Sequence, residues 1–115
     1  MRQLKRDGTI LLNNLEVANS LWSRTKGLLG RKSLASNHGL WILRCNSVHT
    51  FFMQFSIDLV FLNRNMVVTK VCKAVPPSRV VWAWGASSVI ELSEGFLEKH
   101  PLKPGEMLNV DPTLS

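Results

Sequence analysis

The side chains best suited to chemistry in this sequence are Asp58, Glu91, His49, Thr50, Gln54 and Arg31. Asp58 sits between Ile57 and Leu59 in the most apolar run of the chain. An unpaired charge among such neighbours costs several kcal/mol, so this carboxylate must find a partner or open onto a cleft. Glu91, flanked by Ile90 and Leu92, is in the same position. Two carboxylates facing one cleft could divide acid and base work, and a histidine beside one of them would be oriented as in hydrolases. Asp58, Glu91 and His49 are therefore the set a metal-independent hydrolase would use, although no serine or cysteine stands in a nucleophile-elbow context. The alternative is structural: each acid accepts backbone amides or pairs with Arg31, Arg44 or a histidine and fixes the strand register.

Positioning falls to the stretch His49 to Leu62, HTFFMQFSIDLVFL. Phe51, Met53, Phe55, Ile57, Leu59 and Phe61 are apolar at every odd position after His49, while Thr50, Gln54, Ser56 and Asp58 are polar at even ones until Val60 and Leu62 close the far end. A period of two over this length predicts one long central strand with one face in a core. The other face lines up hydroxyl, amide and carboxylate groups. It reads first as the floor of a polar cleft in a small binding module, with Asp58, Thr50, Gln54 and His49 orienting a small polar ligand or a peptide and Arg31 and Glu91 nearby. Trp82 and Trp84 share a strand face with Val80. Exposed, they would be a partner-docking surface; buried, they would be core.

The charge pattern offers a further reading. Of the formal +6, the excess sits early, with Arg2, Lys5, Arg6, Arg24, Lys26, Arg31, Lys32 and Arg44 against Asp7 and Glu16, and the sign reverses from Glu91 onward. A basic first third could meet nucleic acid or another anionic surface, or it could be a solvated face that keeps the chain soluble. No Lys/Arg run is interleaved with aromatics in the manner of single-strand binders, which weighs against nucleic acid. Cys45 and Cys72 form no CxxC, and His38, Cys45 and His49 have no ligand spacing, so neither a metal nor another cofactor is implied. MRQLKRDG is followed only by Ile10, Leu11 and Leu12 before polar residues, too short for a signal peptide, and no stretch is long enough to span a bilayer. The expected location is cytoplasmic.

At 115 residues, 45% apolar and 19% charged, the chain makes one globular domain, 1–115, with residues 1–8 read as a flexible basic lead. Strands are expected at 9–12 and 15–18 with Asn13-Asn14 turning between them, at 40–44, over the central stretch, at 66–75, 79–84, 88–92 and 106–110. Ser20 fits the cap of an amphipathic helix carrying Leu21, Trp22, Thr25, Leu28 and Leu29 on one stripe, ended by Gly30. Ser93 fits the cap of a second helix through Glu98, stopped by Pro101. Asn63-Arg64-Asn65 and Pro104-Gly105 read as turns. About seven short strands and two short helices in non-alternating order predict a β-dominated α+β fold, a compact sandwich or partly closed barrel.

The segments GLLGR, HGLW, VHTFFMQFSIDLVFL, the VPP step at Val75 to Pro77, IELSEG and LKPGEML occur in this order. In that ordered set the chain resembles the prokaryotic domain-of-unknown-function family 192 over residues 14 to 110. Gly27, Leu28, Arg31, Gly39, Met53, Ile57, Asp58, Phe61, Glu91, Leu92, Gly95 and Gly105 fit its pattern, and His49, Thr50 and Phe52 fit the version whose central strand begins HTFFM. Leu29 and Leu40 stand where methionine is usual, Ser56 and Ser93 where proline is, and Met66 where the hairpin carries glycine. The resemblance implies a small β-rich fold with short helices and no settled biochemical activity.

Overall fold

A computed structural model describes residues 2–19 and 31–112, and everything below concerns those residues. They form nine strands and one short helix: β1 Arg2–Arg6, β2 Thr9–Ala18, β3 His38–Leu43, β4 Ser47–His49, β5 Ile57–Leu62, β6 Val68–Val75, β7 Val80–Trp82, β8 Ser88–Ser93, α1 Phe96–Lys99 and β9 Asn109–Pro112. The β-dominated expectation holds. The helix expected over residues 20–30 lies outside the described residues.

Seven strands make one sheet in the order β6-β5-β8-β3-β2-β1-β9, all neighbours antiparallel except the parallel pair β2 and β3. The sheet curls into a half-barrel whose two edges meet at one end. There Val67 bridges Met107, and backbone bonds run from Val68 N to Glu106 O (2.8 Å), Gly105 N to Val68 O (2.8 Å) and Leu108 N to Met66 O (2.9 Å). β4 and β7 form a separate two-stranded ribbon.

Alternation along the strands divides the apolar side chains into two cores. Leu4, Leu12, Leu15, Val60, Leu62, Ile90 and Leu92 fill the inside of the curl together with Phe96 and Leu97 of α1. Leu40, Ile42, Ile57, Leu59, Phe61 and Val89 point outward into the second, closed over by Val48, Met53 and Ala83 from the ribbon and its turns. β5 and β8 have apolar side chains in both cores, which is why β5 is buried along its full length.

Four expectations are corrected. The stretch His49 to Leu62 is not one strand: β4 ends at His49, residues 50–56 turn, and β5 begins at Ile57. Residues 2–6 are no flexible lead but β1, with Leu4 fully buried, joined to β2 by Asp7-Gly8 with φ of 51° and 80°. Both central residues at positive φ make this the turn whose twist matches a hairpin, and Asp-Gly is its signature. β2 runs unbroken through Asn13-Asn14. The helix near residue 95 is shorter than expected and is capped by Gly95, with Ser93 still in β8.

Candidate functional site

Asp58 and Glu91 are brought to opposite faces of the sheet. Asp58 shares its face with Val60 and Leu62 inside the curl, while Glu91 pairs across to Leu40 and Leu59 on the outward face. No common cleft joins them. His49 lies on a third surface, the solvent side of the ribbon, so the acid–base set of Asp58, Glu91 and His49 is not assembled.

Asp58 is 1% exposed, and both its oxygens are engaged by main-chain donors. Ala74 N donates to Oδ1 at 2.8 Å and Leu97 N to Oδ2 at 2.9 Å. Each bond serves the fold. Ile57 pairs with Val75 and Leu59 with Cys72, so Lys73 and Ala74 bulge opposite Asp58 alone, with Ala74 at φ 50°. Leu97 is the second residue of α1, whose own cap, Gly95, offers no side chain; Asp58 supplies the cap from 39 residues away. Thr50 is likewise structural. Its hydroxyl donates to Pro76 O (2.7 Å) and accepts from Arg79 N (2.9 Å), and its backbone bonds Arg79 O and Ser78 N, clamping the Pro-Pro loop to the start of the ribbon. Gln54 is exposed in the turn. The polar cleft over residues 50–58 is therefore not formed: its members turn inward, clamp a loop or stand alone in solvent.

Glu91 is 3% exposed, and its Oε2 has no hydrogen-bond partner among the described residues. Burial pushes its carboxyl up to about 7, while the Arg31 guanidinium pulls the other way. Arg31 itself pairs with Glu16 at 3.0 Å, on the same outward face one strand beyond Leu40. Arg31 and Glu91 are thus brought near each other, and Asp58 is not.

The exposed surface lies elsewhere. In the ribbon Ser47 faces Trp82, Val48 faces Val81 and His49 faces Val80. Val48 packs down into the outer core with Val81, leaving Ser47, His49, Val80 and Trp82 outward. Phe51 stacks on His49, ring centroids 5.6 Å apart, at one end of the ribbon. Phe52, at φ 66°, is 87% exposed there, and Trp84, next to Gly85 at φ 77°, is 91% exposed at the other end. Val80, Trp82 and Phe51 are between 42 and 56% exposed. Lys70 reaches over to donate to Trp82 O at 2.9 Å, Arg79 precedes Val80, and Arg44 lies with Ser47 and Ala86 around a shallow cleft. Between residues 32 and 90 the sequence holds one acid, the buried Asp58.

The part of this surface missed in the sequence is Phe51 and Phe52, assigned there to a strand. An adjacent aromatic pair cannot put both rings on one strand face, and that was the available signal. In the basic first third, three of the six described cations are paired within the fold: Lys5 with Asp111 (3.0 Å), Arg6 with Glu106 (3.2 Å) and Arg31 with Glu16. Among the described residues no three His, Cys, Asp or Glu side chains converge, and no helix is long and apolar enough to cross a membrane.

Solved structures share this fold. A protein of unknown function from Novosphingobium aromaticivorans superposes with a TM-score of 0.82 at 19% identity, over 94% of this chain and 82% of that one. A Sinorhizobium meliloti protein named a "putative transcription regulator" gives 0.79 at 17% identity, over 95% of this chain and 91% of that one. At these identities the likeness is one of fold. No curated protein matches the chain. A family model described as "Uncharacterized ACR" matches residues 2–110.

Proposed function

The chain belongs to that family, DUF192, and we propose for it a role as a binding module that docks on an anionic membrane surface through the outer side of the β4–β7 ribbon. One observation carries the reading: Phe51, Phe52, Val80, Trp82 and Trp84 stand exposed along a single ribbon beside which Arg44, Lys70 and Arg79 are placed. Apolar residues scattered singly on a surface need no explanation, but a contiguous group does. Trp and Phe fit the boundary between headgroup and acyl chain, where an aromatic body is buried and a polar edge stays wet. Lys and Arg near an anionic leaflet contribute about 1 kcal/mol each, so Arg44, Lys70 and Arg79 together supply roughly 3 kcal/mol.

Geometry favours a bilayer over a nucleic-acid strand. The most exposed rings, Phe52 and Trp84, project from tight turns at the two ends of the ribbon. A strand of nucleic acid is usually held in a basic groove. The ribbon stands on the outer core through Val48 and Val81, so the rings are held in place before contact.

Sedimentation with vesicles of phosphatidylglycerol and of phosphatidylcholine tests this. Binding to the anionic vesicles, weakened by salt, with a blue shift of Trp fluorescence, is the expected result. Trp82→Ala combined with Trp84→Ala should lower it at least tenfold without lowering the unfolding midpoint. Equal binding by that variant, no vesicle binding at low salt, or binding of a dT oligonucleotide in its place would overturn the reading.

A further inference from the structure

At the end of the half-barrel where the sheet edges meet, a cavity of about 440 Å³ is lined by Arg2, Trp41, Asn65, Met66, Met107, Leu108, Asn109 and Val110. None of these belongs to the ribbon, and the inference from them is independent of membrane docking. We infer that this cavity binds a small carboxylate carrying an apolar group.

Three observations converge on it. Trp41 is an inward-facing residue of β3, packed against the inner core, and its indole N–H is buried with no hydrogen-bond acceptor among the described residues. A buried donor left unpaired costs about 1–3 kcal/mol, and an indole N–H can only donate, so a ligand oxygen that reaches it from the cavity would relieve that cost. Arg2, at the rim, makes no ion pair among the described residues, and the lining contains no acid. A guanidinium stays charged and offers a planar fork suited to a carboxylate. The remaining walls, Met66, Met107, Leu108 and Val110, are apolar, and Met107 is 56% exposed although its neighbours pack inward. A thioether chain adapts to irregular apolar shapes. The volume suits a ligand of small-molecule size at the mouth of a barrel.

Met66 gives the cavity its rigidity. It holds φ 64°, a conformation that favours glycine, while its side chain packs on the inner core and its carbonyl accepts from Leu108 N. The turn before it is fixed by Asn63, whose Oδ1 accepts from Asn65 N at 2.8 Å and Val67 N at 3.1 Å. A strained residue held by packing on one side and the edge closure on the other keeps the cavity walls in place.

The test is titration of the ¹⁵N-labelled chain with phenylacetate, followed at the Trp indole resonances, with Trp41 assigned by its loss in Trp41→Phe. Phenylacetate should move the Trp41 indole signal downfield with a Kd on the order of 1 mM or below. Phenylacetamide should bind at least tenfold more weakly, and Arg2→Gln, a surface change that leaves the fold intact, should weaken phenylacetate by about tenfold. A titration with acetyl-Gly-Phe as free acid separates sources: binding there points to peptide C-termini, and binding of phenylacetate alone points to free acids. An unmoved Trp41 indole, equal affinity for acid and amide, or unchanged binding in Arg2→Gln would overturn the inference.

Discussion

Two buried carboxyl groups set opposite tests of the same principle. Asp58 has both oxygens in main-chain hydrogen bonds, at 2.8 and 2.9 Å, and its removal strands the buried N–H of Leu97 away from water and takes the acceptor from the N–H of the exposed bulge residue Ala74. The buried group costs about 1–3 kcal/mol and the wetter one about 1 kcal/mol, so Asp58→Ala should lower urea stability by roughly 2–4 kcal/mol. Asp58→Asn, which keeps one acceptor but turns a donor toward the other N–H, should lose about half of that. Glu91 has the reverse balance. Its Oε2 is unpartnered among the described residues and its carboxyl titrates near 7, raised from the usual 4.5 by burial against the smaller pull of Arg31. The folded chain therefore holds a proton that the unfolded chain has released between about pH 4.5 and 7. Its stability is full below that window and falls as pH rises through it, by about 3 kcal/mol in all. Glu91→Gln should abolish this slope, so that urea midpoints of the two chains coincide near pH 4.5 and the variant is the more stable at pH 8. A wild-type midpoint that rises from pH 5 to 8 relative to the variant would show that Glu91 is ionised and paired in the fold.

At the scale of elements, the ribbon depends on Thr50. Its hydroxyl and backbone tie residues 76–79 to the exit of β4, and β7 starts directly after that clamp. Thr50→Val keeps the shape, removes one donated and one accepted hydrogen bond, and should cost about 1–3 kcal/mol. The loss should be local, with faster amide exchange at Ser78, Arg79 and the β4–β7 pairs while β5 and β8 stay protected. Thr50 also shows where sequence patterning stops. The alternation from 57 onward is that of a real strand, β5, and the Pro-Pro end of β6, the turn after Asn63 and the strand at Ser88 were all legible from local composition. The alternation before 57 was a coincidence of residue types across a turn, because Thr50 is polar in order to bond a distant loop. Asp58 is polar for the same kind of reason, to hold a bulge and a helix start 16 and 39 residues away. Long-range hydrogen bonding leaves no periodic mark, so the polar residues were legible as unusual while their purpose was not. The aromatic ribbon was half legible: Trp82 and Trp84 carried the pattern, but their alignment with Phe51 and Phe52 arises only when β4 pairs with β7.

For the molecule as a whole, the decisive strand is the first. β1 lies between β2 and β9, so it is the only described strand through which β9 joins the sheet by a ladder. Its Leu4 is fully buried in the inner core, and its Lys5 and Arg6 pair with Asp111 and Glu106 on the returning chain. Those same cations gave the sequence its appearance of a loose basic lead, and burial of one side chain in the strand distinguishes the two descriptions. Removing residues 1–6 would expose Leu11, Leu12 and Leu15 on one side, free β9 on the other, and leave Arg6's acceptors at Pro101 and Glu106 empty. With only the contacts of Val67 to Met107 and their neighbours left to hold the sheet edges, the curl would open. The truncated chain should therefore lose cooperative unfolding altogether, read as a flat thermal transition by near-ultraviolet circular dichroism and binding of an apolar dye at room temperature. Substituting Leu4→Ala in the full chain should give an intermediate result, a cooperative transition lowered by about 2–5 kcal/mol. A truncated chain that still melts cooperatively near the wild-type temperature would mean that the barrel closes without β1, and that the first strand is an addition to the fold and not one of its walls.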